Sequence, residues 1–393
     1  MKYQKAGEIL PPELLRMVQD YIQGGYLYIP KWDGLTAAVP TRYQVELQKR
    51  NRHIYEKYLQ GMSGRELAAL YHLSRSSIRR VLQKERQYYE EMKITVQQIL
   101  SRWGLSPCTV KQIYTTAWEI DGQYILKVYE DTAALKRNLM IQTTLRRMSI
   151  PAAKVIPAAD GAQWVYEDGK GYMLMEKLSG GKTVSIRTDA ALPRRMGEII
   201  GRLHKAFVQC EKEIPFWDNS LLDELNGWVK EQLAADNWSM VSKEAFAAII
   251  SRLSAEYDCL PRQLIHRDVH FGNFLFDADG SFSGYIDFDL TQRNIRIFDL
   301  AYFLLGLLSE EENGLGKEDW LRVLDGVLGG YQQQAALTDA EKRALISVME
   351  GIELLFIAYF LQVDDRCAAE GSGKLLRFAE ENAEEITRRC LRG

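Results

Sequence analysis

The sequence predicts an α+β fold with a helical front part, a small antiparallel sheet and a large helical part behind it. The chain has 393 residues, more than one typical hydrophobic core accommodates. Strand-like segments joined by Asp-Gly turns are concentrated in residues 109–178, whereas helical periodicity dominates before and after them, apart from one short hairpin at residues 264–289. We therefore predict three domains, over residues 1–90, 91–180 and 181–393.

The composition, 46% hydrophobic and 26% charged, is that of an ordinary globular protein. The N-terminus lacks the apolar segment of a signal peptide, and the apolar run at residues 354–361 is too short to cross a bilayer. Five cysteines without C-x-x-C spacing favour free thiols over disulfides or a zinc site. We expect a cytoplasmic protein with no membrane partner.

The net charge of −3 conceals an asymmetry along the chain. Residues 1–90 carry 15 Lys and Arg against 9 Asp and Glu, whereas residues 91–393 carry 35 against 44. A basic front part on an acidic body favours two modules with different partners.

In the front part, helices are predicted before Gly24 and over residues 43–61, followed by a helix-turn-helix in "ELAALYHLSRSSIRRVL" at residues 66–82. Its turn covers residues 72–74, where Ser74 is a good N-cap. The predicted core is Leu67, Leu70, Leu73, Ile78 and Leu82. The segment resembles the helix-turn-helix of small Mor-like bacterial regulators, which implies DNA as a partner. The DNA-contacting candidates are Arg75, Ser76, Arg79 and Arg80. A trihelical interaction unit that binds no nucleic acid is the alternative.

Behind the front part, the sequence predicts a lobe rich in strands. An amphipathic helix begins near residue 91, and two strand-like segments flank the turn Asp121-Gly122. A helix at 132–148 and a strand near 152–157 follow. Two further strands flank Asp168-Gly169.

The remaining chain is predicted to be mostly helical. The predicted helices cover residues 189–209, 219–234, 242–257, 296–308, 317–334 and 339–363. Set among them is "LIHRDVHFGNFLFDADGSFSGYIDFD" at residues 264–289, which predicts a loop, a strand, a turn at Asp279-Gly280 and a second strand.

The polar residues of that segment predict a functional site, because buried polar groups without partners cost stability. The predicted hairpin brings Asn273 and Asp287 together, and their oxygen atoms suit Mg²⁺. Asp268 would accept a proton from a substrate hydroxyl or amine. One base and two magnesium ligands are what phosphoryl transfer requires.

The segments "HRDVHFGNFLF" and "YIDFD" resemble the catalytic and metal motifs of the aminoglycoside phosphotransferase and choline kinase superfamily. The resemblance covers roughly residues 95–390. It implies a bilobal protein-kinase-like fold, ATP or GTP as phosphate donor, Mg²⁺, and a small-molecule substrate. By position it implies Asp268 as the catalytic base, Asn273 and Asp287 as Mg²⁺ ligands, and Lys127 as the residue that holds the α- and β-phosphates.

The resemblance also implies where the adenine binds. The segment "MEKL" would form the hinge, with Met175, Glu176 and Leu178 at the nucleotide, and Leu275 and Ile286 would form the floor of the adenine site.

The sequence also predicts supporting roles for several neighbouring residues. His266 is expected to support the loop by hydrogen bonding and His204 to pack between helices, whereas Asp299 belongs to a segment, "RIFDLAYFL", that resembles the closing helix of the family. The sequence leaves the roles of His270 and Asp289 open.

Two departures from the family pattern bear on activity. The turn between the first two strands reads "IYTTAW", so Thr115 and Thr116 stand where the family often has glycine over the phosphates. The helix after Lys127 offers Asn138 where an acidic partner for the lysine is usual. Either another carboxylate orients Lys127 or the nucleotide site is weak.

The sequence therefore favours a phosphotransferase that moves the γ-phosphate of ATP or GTP to a hydroxyl or amine of a small molecule. The alternative is a catalytically weak, kinase-like, ligand-sensing transcriptional regulator. An antibiotic-resistance enzyme is a third possibility, since the acidic body permits a polycationic substrate.

Overall fold

The protein is described from a computed structural model, which covers residues 51–392 except 56, 60, 72, 181–183 and 310–314. The helix predicted before Gly24, and the part of the second predicted helix that precedes Asn51, lie outside the described residues. Residues Asn51–Gly393 form one compact unit. Its α+β architecture, with a helical front part, an antiparallel sheet and a helical lobe, confirms the predicted fold class.

The front part contains two helices at the positions predicted for the helix-turn-helix. Residues 51–55 and 57–59 are helical, and α1 (Gly64–Leu70) and α2 (Arg75–Ile99) follow. The hydroxyl of Ser74 caps α2 by accepting a hydrogen bond from a backbone N–H, as predicted.

Ile54, Leu67 and Ile78 form the buried centre of the front part. Of the other predicted core residues, Leu73 and Leu82 pack against it while partly exposed. The four residues proposed to contact DNA are all exposed: Arg75, Ser76, Arg79 and Arg80.

The predicted domain boundary at residue 90 lies inside α2, which continues without a break into the sheet lobe. Met92, Val96 and Ile99 of this helix are buried in the core of the sheet. Tyr89 stacks on Trp118 with 5.2 Å between ring centroids. One helix therefore belongs to two hydrophobic cores, because its two ends pack on different parts of the protein.

The sheet lobe consists of five antiparallel strands in the order β1-β2-β3-β5-β4 and one helix. Lys127 lies in the central strand of the sheet. The elements are β1 (Val110–Tyr114), β2 (Ala117–Ile120), β3 (Tyr124–Tyr129), α3 (Thr132–Arg147), β4 (Val165–Glu167) and β5 (Lys170–Glu176). Both Asp-Gly turns have positive φ at both residues, as the hairpin prediction requires.

The prediction of a strand near residues 152–157 is wrong. Only isolated bridges form there, from Ala152 to Tyr285 and from Val155 to Met175. The segment is bounded by Pro151 and Pro157, and proline has no N–H to donate to a continuous ladder.

The helical lobe contains all six predicted helices, the second of them divided by a π turn at residues 225–229, and two more that were not predicted. They are α4 (Leu192–Glu213), α5 (Leu221–Glu224), α6 (Lys230–Ala235), α7 (Lys243–Tyr257), α8 (Ile297–Ser309), α9 (Lys317–Gln334), α10 (Asp339–Gln362), α11 (Arg366–Glu381) and α12 (Ala383–Arg392). The helix α11 escaped prediction because Gly371 and Gly373 interrupt its pattern.

Four short strands lie within the helical lobe. The hairpin of β7 (Phe274–Phe276) and β8 (Phe282–Tyr285) was predicted, with its turn at Asp279-Gly280. The strands β6 (Arg262–Ile265) and β9 (Gln292–Ile295) pair antiparallel and were not predicted.

The helices α4 and α9 approach each other closely because glycines face the contact. A Cβ atom on Gly197 would lie 2.0 Å from the carbonyl oxygen of Val327, and one on Gly330 would lie 1.9 Å from that of Arg194. Only glycine fits at either position. This close packing brings α4 and α9 together at the place where His204 and Tyr331 meet.

Among the described residues, one helix, α10, is long and apolar enough to cross a membrane. However, 78% of its most apolar window is buried inside the protein. That degree of burial is typical of the central helix of a globular core.

Candidate active site

The loop at residues 266–273, called here the polar loop, is anchored by a buried carboxylate. Asp299, on α8, is fully buried and accepts hydrogen bonds from the backbone N–H groups of His266 and Arg267, each at 2.8 Å. His204 Nε2 lies 2.9 Å from Asp299, and its Nδ1 lies 2.8 Å from the hydroxyl of Tyr331. The histidine expected to pack between helices therefore orients the aspartate that holds the loop.

Arg267 adds a second anchor to the polar loop. Its guanidinium forms two hydrogen bonds with Glu224, at 2.9 and 3.0 Å, and lies 5.7 Å from the ring centroid of Phe298. Its backbone has a φ of 70°, in the left-handed region that costs free energy for a residue with a side chain. The surrounding hydrogen bonds hold this conformation, which presents the next residue, Asp268, at the loop's surface.

Asp268 is a half-buried carboxylate held by three neighbours. The hydroxyl of Tyr302 donates to Oδ1 at 2.8 Å, the amide of Asn273 donates to Oδ2 at 3.1 Å, and His270 Nε2 lies 3.6 Å away. Burial acts to raise the pKa of this carboxyl, but hydrogen bonds from His270 and Tyr302 outweigh it and lower the pKa to about 2. Asp268 is therefore ionised throughout the neutral pH range.

The two histidines of the polar loop support it. His270 Nδ1 accepts a hydrogen bond from the backbone N–H of Gly272 at 3.1 Å. Complete burial lowers the pKa of His266, so its ring is neutral, and its Nε2 lies 3.2 Å from the carbonyl oxygen of Ile286. The loop is thereby tied to the segment that follows β8.

Asn273 and Asp287 are brought together by the predicted hairpin. The backbone N–H of Ile286, next to Asp287, donates to the carbonyl oxygen of Asn273 at 3.1 Å. The amide nitrogen of Asn273 donates to the backbone and carboxylate of Asp268, so its Oδ1 is not used in these two hydrogen bonds. Asp287 has a φ of 60°, so the chain turns there.

Lys127 obtains its acidic partners from outside helix α3. Its Nζ lies 2.8 Å from Asp289 and 3.3 Å from Asp287. The amide of Asn138, the residue at the expected position of the acid, donates to Asp289 at 3.2 Å. Asp289 therefore links the lysine to α3. The sequence placed Asp289 beside the site but gave no sign of this pairing.

The residues predicted to contact adenine lie next to one another. A Cβ atom on Gly284 would lie 2.6 Å from Leu178, and Gly284 is paired with Leu275 in the hairpin. The backbone N–H of Glu176 is already bonded to Lys154 O, whereas that of Leu178 has no partner among the described residues. Of the residues predicted for the hinge, Leu178 thus has a backbone N–H without a partner among the described residues. Met175 is buried in β5, and Ile286 is partly buried after β8.

Thr115 and Thr116 form the two-residue turn between β1 and β2. Ala117, which follows them, is paired with Lys127 in the sheet. The carbonyl oxygen of Thr116 accepts a hydrogen bond from Val128 at 2.8 Å. The turn therefore lies at the start of β2, beside the part of β3 that carries Lys127.

A cavity of about 560 Å³, called here the aromatic cavity, borders Asp268 and Asp289. Its wall includes Trp217, Trp228 and Phe356. The sequence did not predict this cavity, because its lining residues are far apart in the chain and leave no local pattern.

The arrangement combines an ionised carboxylate, two further side chains that carry oxygen atoms, and a lysine. Among the described residues, no group of three or more His, Cys, Asp and Glu side chains could hold a metal ion by itself. Asn273 and Asp287 nevertheless fit Mg²⁺, which takes one or two protein ligands and completes its shell with phosphate oxygens and water. Such a donor set is suited to positioning and neutralising phosphate groups.

Comparison with known proteins gives one family. Residues 109–345 match the phosphotransferase enzyme family, APH. A homoserine kinase of Zymomonas mobilis is 27% identical over 254 residues, which cover 60% of this chain and 72% of that protein. A homoserine kinase of Rhodopseudomonas palustris is 26% identical over 255 residues, covering 60% and 71%.

Solved structures share the fold. An amicoumacin kinase in complex with AMP-PNP, Ca²⁺ and Ami has a TM-score of 0.56 and 17% identity, covering 75% of this chain and 95% of that one. A choline/ethanolamine kinase family protein from Mesorhizobium loti has a TM-score of 0.52 and 15% identity, covering 78% and 99%. These similarities confirm the bilobal, kinase-like architecture.

A different similarity concerns a much shorter protein. The uncharacterized protein YraL of Bacillus subtilis is 34% identical over 86 residues, which cover 97% of that protein and 21% of this chain. A segment of this chain therefore has a counterpart that exists as a separate small protein.

Proposed function

Because the chain belongs to the phosphotransferase enzyme family, we propose that it is a small-molecule kinase that transfers the γ-phosphate of ATP or GTP to a hydroxyl group. The observation that carries the proposal is the convergence of Asp268, Asn273 and Asp287, which lie within one segment of 20 residues, with Lys127 from the distant strand β3. An amine acceptor is the less favoured form of the same reaction.

In this proposal Asp268 receives the proton of the acceptor hydroxyl. The bond from the acceptor oxygen to the γ-phosphorus forms while the bond from that phosphorus to the β–γ bridging oxygen breaks, and the nucleoside diphosphate leaves. A carboxylate with a pKa near 2 is a weak base. It suits a reaction in which orienting the hydroxyl matters more than removing its proton early.

The other residues would hold the nucleotide. Lys127 would bind the α- and β-phosphates, and Leu178 would offer its free N–H to the base. Asn273 and Asp287 would be the protein ligands of Mg²⁺, which neutralises charge on the phosphates when it is bound. The hydroxyls and backbone of Thr115 and Thr116 would cover the phosphates in place of a glycine-rich turn.

The alternative of a catalytically weak regulator depended on the missing acid in α3. Asp289 and Asp287 both lie within salt-bridge distance of Lys127, so a carboxylate partner exists. This pairing supports an active kinase over a sensor without turnover.

The test compares the wild type with Asp268→Asn. We expect the variant to lose about 10²- to 10⁴-fold in turnover, because it lacks the proton acceptor, and to keep its affinity for Mg-nucleotide. Turnover is measured as nucleoside diphosphate release with a panel of small alcohols, including homoserine and choline. Asp279→Asn, in the exposed hairpin turn, is the matched control. A wild type that consumes no nucleotide with any acceptor, or an Asp268→Asn variant as fast as the wild type, would contradict the proposal.

For the front part we propose contact with DNA phosphates as a second candidate function. Arg75 and Arg79 line a groove of about 940 Å³ together with Arg65, Arg86 and Lys111, and one acid, Glu90. If Arg79 and Arg80 both touch phosphate, replacing both with alanine should reduce the slope of the log–log salt dependence of duplex binding by about 2. Anisotropy of a labelled duplex across a salt series measures this slope. Absent or salt-insensitive binding would leave the front part as an interaction element.

ATP or GTP as the proposed phosphate donor is consistent with a cytoplasmic protein. The five cysteines all lie in the described residues as free thiols, which is consistent with the same location. The apolar helix α10 is buried and requires no membrane. We therefore assign the protein to the cytoplasm as part of the same proposal.

A further inference from the structure

The groove of about 940 Å³ in the front part, called here the basic groove, follows helix α2. Between Arg75 and Glu90, the residues of α2 that line it fall at the spacings of three and four that place side chains on one face of a helix. Residues of the preceding helical segment and Lys111 of β1 complete its wall. At 1.5 Å per residue, the stripe on α2 is about 22 Å long.

The basic groove is too narrow to admit a nucleic-acid duplex. Its volume of about 940 Å³, spread over a length of about 22 Å, corresponds to a channel of about 7 to 10 Å in width. The major groove of duplex DNA alone is about 12 Å wide, so a duplex is wider than this channel and contacts only its rim. An extended single strand, by contrast, fits inside it.

The positive charge in the basic groove is not neutralised by the protein. The five cations that line it are Arg65, Arg75, Arg79, Arg86 and Lys111. All five are exposed, and none lies within salt-bridge distance of a carboxylate among the described residues. Arg75 and Arg79 are about one helical turn, or 6 Å, apart along α2. Unpaired cations that repeat along one line are suited to a chain of phosphates.

An exposed tyrosine ring lies in the same groove. Tyr58 is 46% exposed, and its ring stacks on that of Tyr55 with 6.3 Å between centroids and 24° between planes. Tyr55 is 6% exposed, so a buried ring supports Tyr58 while the exposed part of Tyr58 is accessible to a ligand. Every nucleobase has a flat face that stacks on such a ring, whatever its sequence.

We propose that the basic groove binds a single strand of nucleic acid, with phosphates paired to the arginines of α2 and a base stacked on Tyr58. This inference rests on the second candidate function, contact with nucleic-acid phosphates, and names the form of nucleic acid. It does not depend on the kinase function. Arg80, the neighbour of Arg79, is exposed but does not line the groove. These two arginines therefore distinguish a strand in the groove from a duplex on the outer face of α2.

The test measures the anisotropy of labelled oligonucleotides with the full chain across a salt series. Oligo-dT and oligo-U of about 12 nucleotides, within the site sizes of single-strand-binding proteins, are compared with a duplex of the same length. We expect at least one single strand to bind about 10-fold more tightly than the duplex, because stacking adds to the phosphate contacts. Oligo-dT and oligo-U are both included because phosphates and bases are common to DNA and RNA.

Arginine variants locate the strand. Arg79→Ala should reduce the slope of the log–log salt dependence of single-strand binding by about 0.7, the loss of one phosphate contact. Arg80→Ala should leave that slope unchanged. Lys84→Ala is a further control, since Lys84 is an exposed cation of α2 that does not line the groove. A slope that falls as much with Arg80→Ala as with Arg79→Ala would place the strand outside the groove.

Tyrosine variants test stacking separately from charge. Tyr58→Ala should weaken single-strand binding about 10- to 100-fold without changing the salt slope, whereas Tyr58→Phe keeps the ring and should bind like the wild type. Tyr166→Ala is the matched control, because Tyr166 is 58% exposed on β4 and does not line the groove. Thermal unfolding shows that each variant is folded. Equal binding by Tyr58→Ala and the wild type would contradict the inference.

The outcomes separate this inference from the second candidate function. If the duplex binds as tightly as both single strands and Arg80→Ala weakens its binding, duplex contact stands and the inference is wrong. If a single strand binds through Arg79 and Tyr58 while the duplex does not bind, the inference stands and duplex contact fails. Polyglutamate that competes as well as a single strand of equal charge would show that the groove recognises charge alone, which also overturns the inference. An absence of binding by either form overturns both.

Discussion

Asp299 beneath the polar loop and the carboxylates beside Lys127 each hold a neighbouring group in place. The first is buried, whereas the others are exposed to solvent. Asp299 is fully buried, and each of its hydrogen bonds comes from a group that is itself fixed, two backbone N–H groups and His204. Asp287 and Asp289, by contrast, are 53% and 45% exposed. The first arrangement is permanent, whereas the second is accessible to a ligand.

The difference separates positioning from binding. A loop that must present one carboxylate in a fixed place needs partners that water and ligands cannot displace. A lysine that must receive phosphates needs partners that release it, and exposed ion pairs are weak enough to do so. The helical lobe therefore holds the proposed base in a fixed position. The sheet lobe carries Lys127, whose exposed ion pairs can give way to a phosphate.

The largest effect is expected when the buried arrangement around Asp299 is broken. Asp299→Ala should lower the free energy of unfolding by about 3–5 kcal/mol, because it removes the buried partner of His204 Nε2 and of two backbone N–H groups. Asp289→Ala should lower it by less than about 1 kcal/mol, since that residue is exposed. Chemical denaturation of both variants measures the contrast. Equal losses would show that burial does not distinguish the two carboxylates.

An effect of intermediate size, on nucleotide affinity, is expected for the exposed carboxylates beside Lys127. Asp287→Asn should weaken Mg²⁺-dependent nucleotide binding about 10- to 100-fold, the loss of one charged contact. Asp289→Asn should change the affinity less, because in the proposal Asp289 orients Lys127 and does not hold the metal. Titration with nucleotide, with and without Mg²⁺, gives both values. A larger effect of Asp289→Asn would exchange the two roles.

The smallest expected effect concerns the pH dependence of stability. The pKa of Asp268 in the folded protein, about 2, lies below its ordinary value of 3.8. The carboxylate therefore contributes about 2 kcal/mol of stability above pH 4, which is lost as the pH falls from 4 towards 2. Urea unfolding of the wild type and of Asp268→Asn across this range should show a steeper loss in the wild type. Parallel curves would mean that its donors do not favour the ionised form.

The sequence predicted the parts of the site that lie on one short segment. Asp268, Asn273 and Asp287 fall within 20 residues, and hairpin geometry alone brings the last two together. It also predicted the order of sheet and helices, because their periodicities differ. Local signals of this kind need no knowledge of the tertiary structure.

The remainder depended on contacts between distant segments. Asn138 and Asp289 are separated by 151 residues, and His204 and Asp299 by 95, so neither pair leaves a local pattern. Glu353 lies in an apolar helix, where nothing in the sequence distinguishes a buried acid from an exposed one. Such groups are recognised only when packing shows what surrounds them.

The uninterrupted helix α2 also fixes a distance and a phase. Its 25 residues span about 37 Å, with Ile78 in the front core near one end and Val96 in the sheet core near the other. Inserting one residue between Leu82 and Tyr88 would turn one end relative to the other by about 100°. The two cores could then no longer both pack on this helix, so its length in residues is set as firmly as any side chain of the site.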